Sequence, residues 1–296
     1  MKNIKMICNP SSGKSFFDQR VDELCIEILN RGYSLNKYIT VGFNDAFLEA
    51  KNTSVDNCDF IVVVGGDGTV NEVVSGIVTA ANDMPIAIFH TGTINDFANY
   101  LNLTNDPKLF CDSLDRFNME AIDVGVLNGS HFINVVAGGF LTDVAHNTPK
   151  QTKMILGRIA YYLEGIKSFT EKGFVSYKLR FEIDDEVIEE DISMFVITNS
   201  KSIGGINKMA PLAEIQDGLL DCILIKKSNF FEASEIFLQL ITGEHINNKN
   251  VIYKTGKSIN ISALDESDLE LDKDGEYAGH LPAKIEVLEK AINIIV

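Results

Sequence analysis

The sequence lacks the features that mark several common protein classes. Five cysteines are present, but they form no C-x-x-C pair, and their odd number argues against a disulfide framework. We therefore expect a reducing, cytoplasmic environment and no zinc site. The five histidines form neither a catalytic triad nor an H-E-x-x-H pattern, so no histidine is assigned a role.

Long apolar runs and an excess of basic charge are also lacking. No apolar run approaches the ~18 residues of a membrane-spanning helix, and the N-terminal residues contain no apolar stretch of signal-peptide length. We expect a soluble protein that at most makes transient contact with a membrane. Acidic residues outnumber basic residues by 42 to 26, which gives a formal net charge of -16. This charge excludes the basic face that nucleic-acid binding requires, and it would repel an anionic bilayer.

The pattern of apolar residues predicts an α/β protein. The chain has 296 residues and is 45% hydrophobic, which is enough for a large core in one or two domains. Alternating strand and helix patterns up to about Asp123 predict an N-terminal doubly wound parallel sheet. From Ala121 onward, strand patterns predominate and predict a C-terminal antiparallel, sandwich-like domain.

The predicted elements have the following bounds. Strands are expected at 4–8, 34–40, 60–64, 85–89, 121–126, 132–137, 177–183, 187–192, 195–198, 219–225, 258–262, 268–271 and 283–287, and helices at 17–30, 44–51, 154–169 and from Asn229 to Gly243. Two of these predictions rest on local signals. Asp184-Asp185 separates two strands of period-two alternation and predicts a hairpin. Glu232 lies three residues after Asn229 and predicts a reciprocal helix cap.

The most informative stretch is the strand at 60–64 together with the glycine-rich turn that follows it. Its five apolar residues show no alternation, which is typical of a strand covered on both faces. Three of the next four residues are glycines, which let backbone N–H groups approach an anion. A helix that begins at Thr69 or Asn71 would direct its positive end toward the same anion. The turn therefore predicts a phosphate-binding loop.

This loop differs from two standard phosphate loops. The Rossmann pattern would require glycine at Asn71, and a Walker A pattern ending in Gly13-Lys14-Ser15 would require glycine at Cys8. An ordinary strand-to-helix turn would explain the glycines, but it would not explain the acid Asp67 among them.

Four motifs, in chain order, resemble those of the diacylglycerol kinase catalytic family, which includes sphingosine kinases and soluble bacterial lipid kinases. The motifs are Asn9-Pro-Ser-Ser-Gly13, Gly65-Gly-Asp-Gly-Thr-Val-Asn-Glu72, Gly92-Thr-Ile-Asn-Asp-Phe97 and Asp274-Gly-Glu276. The resemblance extends over nearly the whole chain and is strongest to the soluble bacterial branch. NAD kinases share the Gly-Gly-Asp-Gly-Thr motif, whereas the Gly-Thr-x-Asn-Asp-Phe turn separates lipid kinases from them.

The resemblance implies ATP as the phosphate donor and Mg²⁺ as its partner. The positions that match ATP-binding residues of the family are Asn9, Pro10, Ser11, Ser12, Gly13, Thr40, Gly66, Asp67, Gly68, Thr69, Val70, Asn71, Glu72 and Thr93. Asp67, Asp96 and Asp123 match a carboxylate network that organises Mg²⁺ through water. A structural Mg²⁺ is implied at Asp217, with contributions from Glu214 and the carbonyl of Leu219; the alternative is an ordinary Asp-Gly turn.

The Asp274-Gly-Glu276 turn matches the source of the general base, and either Asp274 or Glu276 could serve. The preceding residue is Lys273, where most members of the family carry an apolar residue. This cation could lower the pKa of Asp274 or point to solvent. An ordinary surface hairpin is the alternative explanation of the turn.

The resemblance implies two domains, an ATP-binding domain at 1–123 with 288–296 and a lipid-substrate domain at 124–287. The helix predicted at 154–169 is a candidate wall of the lipid pocket, although apolar stripes more often pack against a sheet. We predict a cytoplasmic, transiently membrane-associated kinase that converts diacylglycerol to phosphatidic acid, and a homodimer is compatible with this. The alternatives are a kinase of another hydroxylated lipid or of a soluble polyol, and a non-catalytic nucleotide or lipid sensor.

Overall fold

The computed structural model describes residues 2–11, 17–92, 95–139 and 176–296. Ser12, Gly13, Thr93 and the predicted helix at 154–169 lie outside these residues. The chain forms two compact units, the first from Met1–Val124 with Leu288–Val296 and the second from Gly125–Val287.

The described strands and helices are named here in chain order. They are β1 (Asn3–Cys8), α1 (Phe17–Asn30), β2 (Ser34–Ile39), α2 (Asp45–Asn52), β3 (Phe60–Gly65), α3 (Asp67–Ala80), β4 (Ile86–His90), α4 (Asp96–Tyr100), α5 (Pro107–Arg116), β5 (Met119–Leu127), β6 (Ser130–Phe132), β7 (Val135–Gly139), β8 (Tyr177–Ile183), β9 (Glu186–Thr198), β10 (Leu220–Lys226), α6 (Phe230–Thr242), β11 (Val251–Gly256), β12 (Ser258–Ala263), β13 (Glu270–Lys273), β14 (Glu276–His280) and β15 (Ala283–Ile295). A 3₁₀ turn, Glu244–Asn247, separates α6 from β11.

The first unit is built on a parallel sheet. Strands β4, β3, β1 and β2 pair in that order, and Ile294 of β15 pairs with Ile86 of β4. Every residue of β3 is buried, as its unbroken apolar run predicts. Apolar side chains of the sheet, α1 and α5 form a common core. The predicted parallel α/β fold of this unit is confirmed.

The second unit contains the predicted antiparallel strands. Strands β14, β13, β7, β9, β8 and β12 pair in that order, β12 continues to the first part of β15, and β10 lies between β9 and β11. The hairpin predicted at Asp184-Asp185 joins β8 to β9. The strands predicted at 187–192 and 195–198 are one strand, β9, because its first half pairs with β8 and its second half with β7 and β10.

Helix α6 has the predicted capping box. The Asn229 side chain accepts a hydrogen bond from the Glu232 N–H at 3.1 Å, and the Glu232 carboxylate accepts one from the Asn229 N–H at 3.0 Å. The helix ends at Gly243, which has the left-handed φ of 84° that favours glycine. Ile236 and Leu240 on its inner face belong to a core cluster of the second unit.

The start of α3 corrects a prediction. The helix was expected to begin at Thr69 or Asn71, but it begins at Asp67. The reason is that Gly66 has an extended backbone and is itself the N-cap residue, so the next residue already has helical geometry. Asp67 therefore lies in the first helical turn, where the helix dipole stabilises a negative charge.

Candidate active site

Asp67 joins the two motif-bearing turns that follow β3 and β4. Its carboxylate accepts hydrogen bonds from the backbone N–H groups of Asp96, at 3.2 Å, and Phe97, at 3.4 Å. Asp67 follows β3 and Asp96 follows β4, and these two strands are parallel neighbours. The carboxyl ends of neighbouring parallel strands meet at one edge of the sheet, which is the usual ligand-binding edge of an open α/β sheet.

The negative charges of Asp67 and Asp96 interact. Burial and the charge of Asp96 raise the pKa of Asp67, and the backbone N–H donors oppose this rise. A cation at this position would offset both the burial of the Asp67 charge and its repulsion by Asp96. Within the described residues, no group of three or more His, Cys, Asp or Glu side chains is placed to hold a metal ion. One or two carboxylates completed by phosphate and water oxygens nevertheless fit Mg²⁺.

The same two turns contact each other through their glycines. A Cβ atom added to Gly92 would lie 2.8 Å from the Cα atom of Gly66, so close backbone packing requires glycine there. A Cβ atom added to Gly68, in contrast, would meet no atom of the described residues within 4 Å. The space beside Gly68 is therefore the part of the turn that a phosphate group could occupy.

Three buried polar atoms near this contact were not predicted as functional from the sequence. His90 Nδ1, Thr91 Oγ1 and Asn95 Oδ1 have no hydrogen-bond partner within the described part of the chain. Asn95 also donates a hydrogen bond from Nδ2 to the Gly92 carbonyl at 2.7 Å. Buried polar atoms normally have partners, so these three fit a polar ligand at this edge. The position of Asn95 within the Gly-Thr-x-Asn-Asp-Phe motif was the feature of the sequence that could have indicated its role.

Other residues predicted to bind ATP lie at the same edge of the sheet. Asn9 Nδ2 donates to Thr69 Oγ1 at 2.9 Å, and Asn9 Oδ1 accepts from the Ser11 N–H at 3.0 Å. The Thr40 N–H donates to the last carbonyl of β1 at 2.8 Å. The Asn9 contact places the residue that follows β1 beside the first turn of α3, and the Thr40 contact places the residue that follows β2 beside the end of β1.

Helix α3 and the loop after β1 carry the remaining described positions that were predicted to bind ATP, Pro10, Val70, Asn71 and Glu72. Among these, Glu72 has a visible local role. Its carboxylate accepts hydrogen bonds from the N–H groups of Asn44 at 3.2 Å and Ala46 at 3.1 Å, and so it caps the start of α2. Its role in ATP binding stays a prediction.

Asp123 lies in the first unit and is 1% exposed. Its carboxylate accepts a hydrogen bond from the Lys290 N–H at 2.7 Å. This contact connects β5 with the chain segment that returns to the first unit. The water-mediated network of Asp67, Asp96 and Asp123 stays a prediction.

In the second unit, Asp274 and Gly275 form the two-residue turn between β13 and β14. Both have left-handed φ angles, 50° and 86°, and Lys273 pairs with Glu276 across the turn. Positive φ at both central residues is typical of a type I′ turn, for which Asp-Gly is a favoured sequence. The residues at 274 and 275 are therefore suited to this tight turn.

The Asp274 carboxylate is held by backbone donors. Oδ2 accepts from the Ile133 N–H at 3.0 Å, and Oδ1 accepts from the N–H groups of Asn134 at 3.1 Å and Val135 at 2.8 Å. Burial raises the pKa of Asp274 to about 6, although these donors and the charge of Lys273 lower it. Lys273 Nζ also donates to Ser130 Oγ, so this cation contacts protein in addition to acting on Asp274.

Glu276 differs from Asp274 in its surroundings. It begins β14 and is exposed, whereas Asp274 is half-buried and holds three backbone N–H groups. A group that receives a proton from a substrate must be accessible to that substrate. Glu276 is therefore the more accessible of the two carboxylates.

The predicted structural metal site is an exposed turn in this structure. Asp217 Oδ1 accepts a hydrogen bond from the Leu219 N–H at 2.9 Å, and Glu214 is exposed nearby in the sequence. Burial, and secondarily the charges of Asp217 and Glu214, raise the pKa of Asp221 to about 6, while a hydrogen bond from the Tyr253 hydroxyl opposes this rise. Acidic charge is thus concentrated here, and the Mg²⁺ assignment stays a prediction.

Family models match both parts of the chain. The model described as "Diacylglycerol kinase catalytic domain" matches residues 3–127, and the model described as "YegS C-terminal NAD kinase beta sandwich-like domain" matches residues 134–296. No helix within the described ranges is both long enough and apolar enough to span a membrane.

Similar proteins cover nearly the full chain. Two proteins named "Diacylglycerol kinase" from Staphylococcus aureus, strains bovine RF122 / ET3-1 and JH9, are 37% and 36% identical over 293 residues, which is 99% of this chain and 92% of each relative. A crystal structure from Bacillus anthracis str. Sterne, described as that of a diacylglycerol kinase, is 26% identical with a TM-score of 0.81 and covers 99% of this chain and 96% of its own.

Proposed function

This chain belongs to the diacylglycerol kinase family, as its four motifs predict, and from this membership we propose that it is an ATP- and Mg²⁺-dependent lipid kinase. In this proposal the γ-phosphate of ATP is transferred to the free hydroxyl group of diacylglycerol, and phosphatidic acid is the product. The protein acts in the cytoplasm and contacts the membrane surface transiently.

The observation that carries the proposal is the link made by Asp67 between the two motif-bearing turns. Phosphoryl transfer requires a cradle for the donor phosphates and an acid that places a metal ion. Gly68 leaves space for a phosphate at the positive end of α3, and Asp67 with Asp96 would hold Mg²⁺. When bound, Mg²⁺ neutralises charge that develops on the transferred phosphoryl group.

Glu276 is assigned as the group that receives the proton of the lipid hydroxyl. Its exposure supports this choice, as does the engagement of both Asp274 oxygens by backbone donors. A carboxylate is a weak base, so its main contribution is to orient the hydroxyl oxygen toward the γ-phosphate. Proton transfer to Glu276 then accompanies formation of the new P–O bond late in the reaction.

The test is turnover of a panel of acceptors in detergent micelles with ATP and Mg²⁺. We expect phosphatidic acid from diacylglycerol, and we expect Glu276→Gln to lose about 100-fold or more in kcat, in the range of general-base effects. Glu270→Gln is the matched control, since Glu270 lies on the same hairpin opposite His280. Faster turnover of glycerol or a sugar than of any diacylglycerol would contradict the lipid assignment.

A kinase of another hydroxylated lipid is the second candidate. The match of residues 134–296 to the YegS C-terminal domain model supports it, because that model covers the unit to which we assign lipid binding. Faster turnover of another lipid in the same panel would favour this candidate.

A further inference from the structure

We propose that two buried hydroxyl residues, Thr198 at the end of β9 and Ser200 just beyond it, are positioning residues that hold the turn carrying Glu276. The inference rests on the proposed function, since it assigns these residues to the orientation of the proposed base. The connection runs in two steps, from the turn to the backbone at 133–135 and from there to Thr198 and Ser200.

The first step fixes the turn to the chain segment that precedes and begins β7. The Asp274 carboxylate accepts from three consecutive N–H groups, those of Ile133, Asn134 and Val135. The Asp274 N–H donates in return to the Val135 carbonyl at 2.9 Å. Four hydrogen bonds therefore join one turn residue to one short segment, and a displacement of that segment would carry the turn with it.

The second step fixes that segment to the end of β9. Thr198 Oγ1 lies 2.8 Å from the Asn134 carbonyl, which also accepts from the Asn199 N–H at 2.9 Å. Ser200 Oγ donates to Asn134 Oδ1, and the Ser200 N–H donates to Thr198 Oγ1 at 3.1 Å. Both the backbone and the side chain of Asn134 are thus held by this short stretch.

The groups that form this connection are buried. Thr198 and Ser200 are both 0% exposed, and Asn134 is 6% exposed. Loss of either hydroxyl therefore removes a hydrogen bond to the buried Asn134, and such bonds are stronger in a buried site than in water. The preceding residues of β9, Val196 and Ile197, are buried and apolar, so hydroxyl groups appear where the strand reaches Asn134.

The experiment removes each hydroxyl separately. Thr198→Val and Ser200→Ala should each lower kcat for the lipid by about 10- to 100-fold, the cost of a small misplacement of a reacting group. The KM values for ATP and lipid should change little, because both side chains are fully buried. Thr198→Ser retains the hydroxyl and should recover most of kcat.

Ser193→Ala is the matched control. Ser193 lies on β9, is 7% exposed, and its hydroxyl has no hydrogen-bond partner within the part of the chain that the structure describes. This variant should retain the parental kcat. A kcat loss equal to that of Ser200→Ala would show a general effect of buried substitutions and would overturn the inference.

Hydrogen exchange provides a readout that needs no substrate. Backbone amides of the peptide spanning 272–277 should exchange faster in Thr198→Val and Ser200→Ala than in the parent or in Ser193→Ala, because local opening becomes easier. Parental exchange in both hydroxyl variants would overturn the positioning role, as would parental kcat in both. A parent that exchanges as expected but phosphorylates no lipid would instead overturn the proposed function.

Discussion

Replacement of Asp274 tests how the proposed base is supported. In Asp274→Asn, the remaining carbonyl oxygen can still accept the two hydrogen bonds that Oδ1 now receives from Asn134 and Val135. The new NH₂ group would face the Ile133 N–H, which now donates to Oδ2. One donor is therefore lost, and an unsatisfied buried donor costs about 1–3 kcal/mol.

Asp274→Ala should be considerably more destabilising. It leaves all three N–H groups without this acceptor, and it places alanine at a φ of 50°, which costs a further ~1–2 kcal/mol. Asparagine tolerates this backbone conformation, so the Asn variant isolates the effect of the hydrogen bonds. Burial raises the pKa of Asp274 from its ordinary value of 3.8 to about 6, so the folded protein disfavours the charged form at pH 7.5, and loss of the charge alone should not lower the free energy of unfolding.

Urea unfolding of the parent and both variants at pH 7.5 measures these differences. We expect the free energy of unfolding to fall by about 1–3 kcal/mol for Asp274→Asn and by at least ~4 kcal/mol for Asp274→Ala. Equal losses in the two variants would refute the assignment of hydrogen bonds to the individual carboxylate oxygens. Parental stability in both would refute the structural role of Asp274 altogether.

Three further substitutions examine other parts of the molecule. Gly68→Ala should raise the free energy of unfolding by about 0.4–1 kcal/mol, since Gly68 is helical. The same variant should bind ATP more weakly in calorimetry, and parental ATP affinity would contradict the assignment of the open space to a phosphate. Asp217→Ala should lose most of the thermal stabilisation that Mg²⁺ gives the parent. An identical Mg²⁺ effect in both proteins would make Asp217 an ordinary turn residue. Tyr253→Phe removes the hydroxyl that lies 2.5 Å from the buried Asp221 carboxylate and should lower the free energy of unfolding by about 1–3 kcal/mol. Unchanged stability in denaturant would show that this hydrogen bond contributes nothing.

Features that depend on neighbouring residues could be predicted from the sequence. The apolar run of β3, the hairpin at Asp184-Asp185 and the capping box of Asn229 and Glu232 are all local, and the structure contains each of them. The family could likewise be predicted from its four motifs, because each motif is short and contiguous in the sequence. The start of α3 could not be predicted correctly. Thr69 and Asn71 are residue types that commonly cap helices, but the N-cap residue of α3 is Gly66.

Some elements were missed although a signal was present. Helix α5 begins with Pro107 after Asp106, whose side chain accepts from two N–H groups of the first turn, and this is a recognisable helix start. Strands β11 and β14 were also omitted. Strand β14 is short and contains Gly279 with a φ of 90°, so its pattern is weak, and its pairing with β13 defines it instead.

The positions of site residues relative to distant parts of the chain could not be predicted. Asp274 bonds to residues about 140 positions earlier, and no local pattern indicates that contact. The same holds for Thr198 and Ser200, because nothing in the neighbouring sequence distinguishes them from ordinary residues at the end of a strand. The sequence identified the Asp-Gly-Glu turn, but tertiary structure was needed to distinguish the held Asp274 from the exposed Glu276.

The proposed kinase activity can be measured as transfer of phosphate from ATP to lipid. With ATP labelled at its γ-phosphate and diacylglycerol in mixed micelles, we expect Mg²⁺-dependent label in the lipid extract, identified as phosphatidic acid. Asp67→Asn should abolish most of this transfer while remaining folded, because it alters the charge beside Asp96 and no core packing. Absence of labelled lipid with the folded parent would contradict the lipid-kinase assignment, and full transfer by Asp67→Asn would contradict the role given to Asp67.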